Sequence, residues 1–219
     1  SWSSNIGHQM NHNKTIAKVC KAAPVIPVVT ISRIEDARPI AHALVAGGLP
    51  CLEITLRTKV ALDAIAAVAD VEDVIVGAGT LITSDQVNDA KEAGAVFGVS
   101  PGFSTTLIDA TKRFDLPLLP GSSTASEAMQ LLEKGFSYQK FFPAASSGGF
   151  EKLRSLAEAL PQITFCPTGG VTSENAKQYL KLPNIICVGG SWITPNALVS
   201  SGDWKKITQI ARHASALLE

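Results

Sequence analysis

The sequence lacks an excess of charge of either sign. Its 19 lysines and arginines balance 19 aspartates and glutamates, so the formal net charge is zero. Nucleic acids and anionic membranes attract proteins with a basic surplus, so neither is expected as a partner. No apolar run is long enough to span a bilayer, and the first residues are too polar for a signal peptide. We therefore expect a cytoplasmic protein that has no membrane partner.

Cysteine is scarce as well. The chain has four cysteines in 219 residues, and they are widely spaced. Disulfide frameworks and zinc sites in small domains need closely or regularly spaced cysteines, so this spacing favours reduced thiols in a core. Reduced thiols are typical of the cytosol. The four are Cys20, Cys51, Cys166 and Cys187.

The chain also has no Gly-x-Gly-x-x-Gly turn after its first apolar run, which an open, doubly wound nucleotide-binding sheet would be expected to carry. Instead, eight strand-like runs alternate with alanine-rich helical stretches. The predicted strands are residues 25–30, 51–56, 74–78, 96–99, 118–119, 138–143, 163–166 and 185–188. The predicted helices are residues 14–21, 34–46, 59–69, 84–93, 104–112, 124–134, 150–160 and 173–182, with further helices at the end.

Eight strand–helix units in this length predict an α/β fold, a single (β/α)8 TIM barrel with an additional N-terminal helix. No linker rich in proline, serine or charge interrupts the units, so one domain is expected over residues 10–219. Residues 1–9, which precede Met10, are predicted to be a vector remnant. Ser84 is the predicted N-cap of the fourth helix.

The sixth predicted strand carries a lysine among aromatic residues. Strand side chains alternate between faces, so Tyr138, Lys140 and Phe142 share one face, and Gln139 and Phe141 share the other. A lysine between two aromatic side chains is poorly hydrated, which favours the neutral, nucleophilic amine over the ammonium. The alternative is a lysine that reaches from a strand end to water.

The second predicted strand combines an acid and a base on one face. Its leucine and isoleucine side chains are expected to pack on helices, which leaves Glu53, Thr55 and Arg57 facing the barrel interior. An unpaired charge in the barrel interior would lower the stability of the fold, because it loses its hydration. The side chains could form an ion-pair network with Lys140 for structure alone. The functional interpretation is that a substrate completes the network.

Paired glycines follow the last two predicted strands. Gly169 and Gly170 follow the seventh strand, and Gly189 and Gly190, with Ser191 after them, follow the eighth. Exposed backbone N–H groups of such loops bind phosphate, and barrels commonly hold phosphate at this position. Arg33, just past the first strand, could neutralise the phosphate or could equally be a solvated charge at a helix start.

Two further strand ends predict weaker binding positions. Thr80 ends the third strand on the face predicted to carry Val76 and Ala78, and it offers a hydroxyl. Pro101 belongs to a rigid turn after the fourth strand. Either turn could also be an ordinary connection.

Six motifs, taken together in order and spacing, resemble those of the 2-keto-3-deoxy-6-phosphogluconate (KDPG) and 4-hydroxy-2-oxoglutarate (KHG) aldolase family. They are LEITLRT (52–58), GAGT (77–80), SPG (100–102), KFFPA (140–144), FCPTGG (165–170) and GGSW (189–192). The resemblance runs from about residue 24 to the C-terminus. It implies a homotrimeric class I lyase without metal or other cofactor. The implied reaction cleaves KDPG to pyruvate and D-glyceraldehyde 3-phosphate, and some members also cleave KHG to pyruvate and glyoxylate.

The resemblance also implies a role for each matching residue. Lys140 would form the Schiff base, and Glu53 would transfer protons. The implied carboxylate-binding positions are Arg57, Thr80 and Pro101. The implied phosphate-binding positions are Gly169, Gly170, Gly190 and Ser191, with Thr168 near Glu53. The 144–147 loop departs from some relatives that carry an acid there, and Arg33 lies in a variable region.

Other functions stay open at this point. A phosphosugar isomerase or epimerase on a similar barrel would use Glu53 as base and Lys140 only as an electrostatic partner. A passive phosphometabolite-binding barrel would need neither as a catalyst. Within the aldolase hypothesis, the epimeric substrate 2-keto-3-deoxy-6-phosphogalactonate is an alternative.

Overall fold

The computed structural model describes residues 2–219, with side chains described from Ile6 onward. The strands are β1 (Val25–Val29), β2 (Cys51–Thr55), β3 (Ile75–Gly79), β4 (Phe97–Val99), β5 (Leu118–Leu119), β6 (Gly121–Ser122), β7 (Tyr138–Phe141), β8 (Thr164–Pro167) and β9 (Val188–Gly190). The helices are α1 (Trp2–Lys21), α2 (Ala37–Ala46), α3 (Ala61–Val68), α4 (Ser84–Ala93), α5 (Thr105–Arg113), α6 (Ala125–Glu133), α7 (Gly149–Ala159), α8 (Ala176–Leu180), α9 (Asn196–Ser200) and α10 (Trp204–Ser215), with a 3-10 turn at Ile34–Asp36.

The paired strands are all parallel, as expected for strands connected through helices. One sheet has the order β5-β4-β3-β2-β1-β9, and a second has the order β6-β7-β8. Pro120, which has no backbone N–H to donate, separates β5 from β6. Single parallel bridges, Phe165 to Ile185 and Thr168 to Gly189, link the second sheet to the β9 segment. The protein therefore has the predicted α/β fold with parallel strands.

The apolar faces of the strands pack against the helices. Leu52 and Ile54 of β2 and Phe141 of β7 are fully buried in the main hydrophobic cluster, which also contains residues of α2, α3 and α6. Burying a side chain of this size stabilises a fold by roughly 1.5–3 kcal/mol. Glu53 and Lys140 line the cavity on the opposite face, so the alternation predicted for the second and sixth strands is confirmed.

Helix α1 is longer than the sequence predicted, because it begins at Trp2 rather than near residue 14. Its side chains Ile16, Val19 and Cys20 join a second buried cluster with Cys51 and Phe97, which begin β2 and β4. The helix therefore covers the amino-terminal ends of these strands. Residues 2–9 continue this helix, and their origin in a vector stays a prediction. Among the described residues, none of the helices combines the length and apolar character that crossing a bilayer requires.

Several predicted boundaries of helices and strands were wrong. The predicted helix at 173–182 is the shorter α8, because Thr172 N donates to Asn175 Oδ1 (2.8 Å) and holds the preceding turn. The last strand lies at Val188–Gly190 rather than 185–188. The N-cap of α4 is Thr83 and not Ser84, since the Thr83 side chain accepts from Gln86 N and Gln86 completes a capping box.

This cap gives a matched pair of variants. Thr83→Ala removes the side-chain acceptor of the capping box, and we expect it to lower the free energy of unfolding by about 1 kcal/mol. Ser84→Ala, one residue further on, is expected to change it by less than half as much. Urea unfolding of both variants measures the difference, and equal losses would contradict the assignment of Thr83 as the cap.

Candidate active site

A cavity of about 250 Å³ lies where the strands end. Active sites of parallel α/β barrels form at this edge, because the loops after the strands meet there. The cavity is lined by Val28, Glu53, Arg57, Thr80, Pro101, Lys140, Phe142, Thr168, Gly169, Gly170, Val171, Gly189, Gly190 and Ser191. The structure thus brings together every predicted site residue except Arg33.

Lys140 enters the cavity from β7. The residue is 6% exposed, and its Nζ lies 4.6 Å from the centroid of the Phe142 ring. An ammonium at this distance interacts favourably with the face of an aromatic ring. The lysine does not extend into solvent, so the alternative of a strand-end lysine reaching water was wrong.

The orientation of Lys140 depends on its neighbour Gln139, which is fully buried on the opposite face of β7. Gln139 Nε2 donates to the carbonyls of Ala128 and Phe136, both at 3.0 Å. Its Oε1 accepts from Ser122 Oγ at 2.9 Å. A one-residue slip of β7 would bury these groups without partners and turn Lys140 outward. Gln139 therefore fixes the face on which the lysine lies.

Glu53 is the buried acid of the cavity. The residue is 4% exposed, and burial raises the pKa of its carboxyl, while the nearby charges of Lys140 and Arg57 act in the opposite direction. The protein environment thus holds the acid closer to neutrality than an exposed glutamate, and a carboxyl group in this condition can act chemically as an acid or as a base.

Gly79 provides the space that Glu53 occupies. A Cβ added at Gly79 would collide with the Glu53 carboxyl group. Position 79 is on β3, next to β2 in the sheet, with Thr55 as its register partner. The small residues that the sequence places at the end of this strand therefore admit the acid.

Thr80 reaches the cavity by a route that the strand pattern did not predict. Val76 and Ala78 belong to the cluster packed on the helices, so simple alternation would direct Thr80 outward as well. Its backbone has φ of 60°, a left-handed conformation that is uncommon for threonine. This turn breaks the alternation and brings Thr80 to the cavity wall, so the shared face predicted for it was wrong.

The loops after β8 and β9 form the far wall of the cavity. Gly169 and Gly170 have φ of 98° and 71°, which glycine adopts without steric cost. Thr168 N donates to the Phe141 carbonyl at 3.0 Å, and its own carbonyl accepts from Ala144 N at 2.8 Å. These bonds attach the glycine loop to the segment that follows the lysine strand.

Arg33 does not line the cavity. Its side chain is 60% exposed, and Nε lies 3.2 Å from Glu35 and 3.7 Å from Asp36. These carboxylates, which the sequence places two and three residues later, hold the guanidinium at the start of the next helix. Of the two interpretations that the sequence left open, the structure favours the solvated helix-start charge.

Four lining residues were absent from the predicted site: Val28, Phe142, Val171 and Gly189. Phe142 shares the face of Lys140 by strand alternation, so its position could have been predicted. Gly189 belongs to the glycine pair that the sequence indicated. Val28 and Val171 are ordinary apolar residues that no pattern marks.

Comparison with known proteins places this geometry in a family. A model of the KDPG and KHG aldolase family matches residues 16–210. The chain belongs to this aldolase family. It is 45% identical to the 2-dehydro-3-deoxy-phosphogluconate aldolase of Pseudoalteromonas atlantica, over 90% of this chain and 93% of the relative. It is 44% identical to the KHG/KDPG aldolase of Escherichia coli K12, over 94% and 97%.

A solved structure of the same family is also close. The KDPG aldolase of Legionella pneumophila, captured with pyruvate as a covalent carbinolamine intermediate, superimposes with a TM-score of 0.88 at 45% identity. The match covers 90% of this chain and 97% of that chain. The family resemblance drawn from the six motifs is thereby confirmed, and the protein is a lyase of the aldolase type.

The anchoring of the aldolase's lysine strand can be tested through Gln139. Gln139→Leu keeps the size of the side chain but removes three buried hydrogen bonds, so we expect a loss of about 3 kcal/mol in the free energy of unfolding. Ser122→Ala removes one of the three and is expected to cost about 1 kcal/mol. Urea unfolding measures both, and a Gln139→Leu protein as stable as Ser122→Ala would refute the anchoring role.

Proposed function

We propose that this protein is a class I, Schiff-base-forming aldolase that cleaves KDPG to pyruvate and D-glyceraldehyde 3-phosphate. The observation that carries the proposal is the buried pair of Lys140 and Glu53 lining one cavity together with Arg57. A passive binding site has no need of a buried amine beside a buried acid, and keeping such groups from water is costly.

In the proposed reaction, the neutral amine of Lys140 attacks the C2 carbonyl carbon of KDPG and forms a carbinolamine. Loss of water gives an iminium, which withdraws electrons from the adjacent carbon. Glu53 then removes the proton of the C4 hydroxyl, and the bond between C3 and C4 breaks. Its electron pair moves into an enamine on the lysine, while C4 leaves as the aldehyde of glyceraldehyde 3-phosphate. Protonation at C3 and hydrolysis release pyruvate and restore the amine.

The substrate would lie across the cavity between two binding regions. Arg57 would bind the C1 carboxylate through paired N–H donors, with Thr80 as a further donor and Pro101 beside them. At the opposite wall, backbone N–H groups of Gly169, Gly170 and Gly190 and the hydroxyl of Ser191 would bind the C6 phosphate. Thr168, 9% exposed, lines the same cavity.

A second substrate is proposed on the basis of one relative. The E. coli protein, 44% identical, is a KHG/KDPG aldolase. KHG shares the carboxylate and C2 ketone that Arg57 and Lys140 would engage, and its cleavage would give pyruvate and glyoxylate. Because it has no phosphate, it would make no use of the glycine loops.

We also propose that the two sheets form one closed (β/α)8 barrel within a single domain over residues 10–219, with α1 as an addition to it. The bridges from Phe165 and Thr168 support closure on one side, and the single residue between β5 and β6 supports it on the other. Four buried, unpaired cysteines are consistent with the cytoplasm. The homotrimer implied by the family resemblance stays a prediction, which light scattering would test.

Borohydride trapping tests the Schiff base directly. We expect incubation with pyruvate and sodium borohydride to leave one reduced pyruvate adduct on Lys140, detectable by mass spectrometry of peptides. Lys140→Met removes the nucleophile, and Lys140→Arg substitutes a guanidinium that stays protonated, so neither variant should form the adduct or cleave KDPG. An unmodified wild-type protein would instead favour an isomerase in which the lysine acts only by its charge.

The role of Glu53 requires a measurement that separates imine formation from bond cleavage. Glu53→Gln keeps the shape of the side chain but cannot take the C4 hydroxyl proton. We expect this variant to form the pyruvate adduct under borohydride and yet to cleave KDPG about a hundredfold more slowly. Wild-type cleavage rates in Glu53→Gln would remove this residue from the mechanism. The exposed Glu35→Gln serves as a matched control and should leave both readouts unchanged.

A further inference from the structure

Three potential metal ligands converge at the opposite end of the strands from the cavity. His8 and His12 lie one turn apart on α1, and Asp115 lies between α5 and β5. Nε2 of His8 is 3.3 Å from Asp115 Oδ1, and Nε2 of His12 is 2.8 Å from the same oxygen. One ligand atom from each residue lies within 4.8 Å of the other two.

The polar atoms of this cluster are incompletely satisfied. His12 Nε2 donates a hydrogen bond to Asp115 Oδ1, but His8 Nε2 is buried without a hydrogen-bond partner. It is one of three such side-chain atoms in the part of the chain whose side chains are described. An unpartnered buried nitrogen is costly unless another group, such as a cation, binds it.

We propose that His8, His12 and Asp115 form a site for a divalent transition metal ion of the zinc type. Imidazole nitrogens suit such ions, and two histidines with one carboxylate is a common zinc ligand set. In a tetrahedral zinc site with bonds of 2.0–2.1 Å, ligand atoms are about 3.3 Å apart. The His8 separation already matches, and the His12 contact has to open by about half an ångström.

The surroundings allow a fourth ligand and set a limit on affinity. The Asp115 side chain is 67% exposed, so water can complete the tetrahedron from the solvent side. Lys91 Nζ donates to the Asp115 carbonyl at 2.8 Å, and this nearby positive charge weakens cation binding. Binding also requires the His12 proton to reside on Nδ1, which frees Nε2 as a ligand.

The ion would connect parts of the chain that are distant in sequence. It would join α1 to the turn before β5, more than a hundred residues later, and so stabilise the folded state over the unfolded one. Asp115 has a left-handed φ of 53°, and its carboxylate contacts His12 on α1. The site would therefore act on stability, and it is separate from the proposed aldolase chemistry.

Cobalt(II) is the spectroscopic probe, since its visible absorption reports tetrahedral coordination, and zinc(II) titration calorimetry gives the stoichiometry. We expect one ion per chain in the wild-type protein. His8→Ala and His12→Ala should each lower the zinc affinity at least about tenfold. Removing a residue that only supports a metal ligand already costs about tenfold or more, so removing a ligand itself should cost no less. His42→Ala is the matched control, because His42 is an exposed histidine on α2 outside the cluster. It should bind as the wild type does.

Thermal unfolding gives a second readout. With free zinc at a hundred times the dissociation constant, the folded-to-unfolded ratio of the wild-type protein should rise about a hundredfold. Asparagine adopts a left-handed backbone as readily as aspartate, so the Asp115→Asn variant should fold. Because it lacks the carboxylate charge, zinc should raise its folded-to-unfolded ratio only slightly. The absence of tetrahedral cobalt bands, or equal zinc affinity in wild type and His8→Ala, would overturn the proposal.

Discussion

The cavity at the strand ends depends on the electrostatic balance between an amine and a carboxyl group, Lys140 and Glu53, that are both removed from water. Burial of Glu53 raises its pKa, and the charges of Lys140 and Arg57 oppose that rise. Removing one member of such a buried pair leaves an uncompensated charge, which typically costs 3–5 kcal/mol. The protein therefore has to hold the two buried groups, Lys140 and Glu53, in one place, while Arg57 is exposed where it lines the same cavity. The surrounding β-strands do this by directing their polar faces to one cavity.

Contacts on the helix-facing sides of β2 and β7 support this arrangement. Leu52 and Ile54 are buried against helices on the face opposite Glu53, and Gln139 is hydrogen-bonded on the face opposite Lys140. Because strand side chains alternate, fixing the outer residue also fixes the inner one. Lys140 and Glu53 are thus positioned by residues that do not line the cavity, which is how rigid scaffolds hold functional sites in place.

Sequence reasoning predicted the parts of the site that follow from strand periodicity. The inward faces of β2 and β7 and the glycine loops after β8 and β9 were recognisable from residue type and spacing alone. Thr80 was assigned to the wrong face because its left-handed backbone has no signature in the sequence. Arg33 was a candidate only by its location, and the nearby acids Glu35 and Asp36 hold its guanidinium at the helix start instead. Contacts between distant segments, such as His8 with Asp115, depend on tertiary structure and left no pattern to find.

The contact between Gly79 and Glu53 also constrains how the sequence can change. A methyl group at position 79 and a full-length glutamate at position 53 require the same volume. The shorter aspartate at 53 would release space that alanine at 79 could fill, whereas either change alone leaves a clash or a void. The packing of the fold should therefore accept substitutions at these two positions jointly rather than singly, so adjacent strands have to be redesigned as one unit.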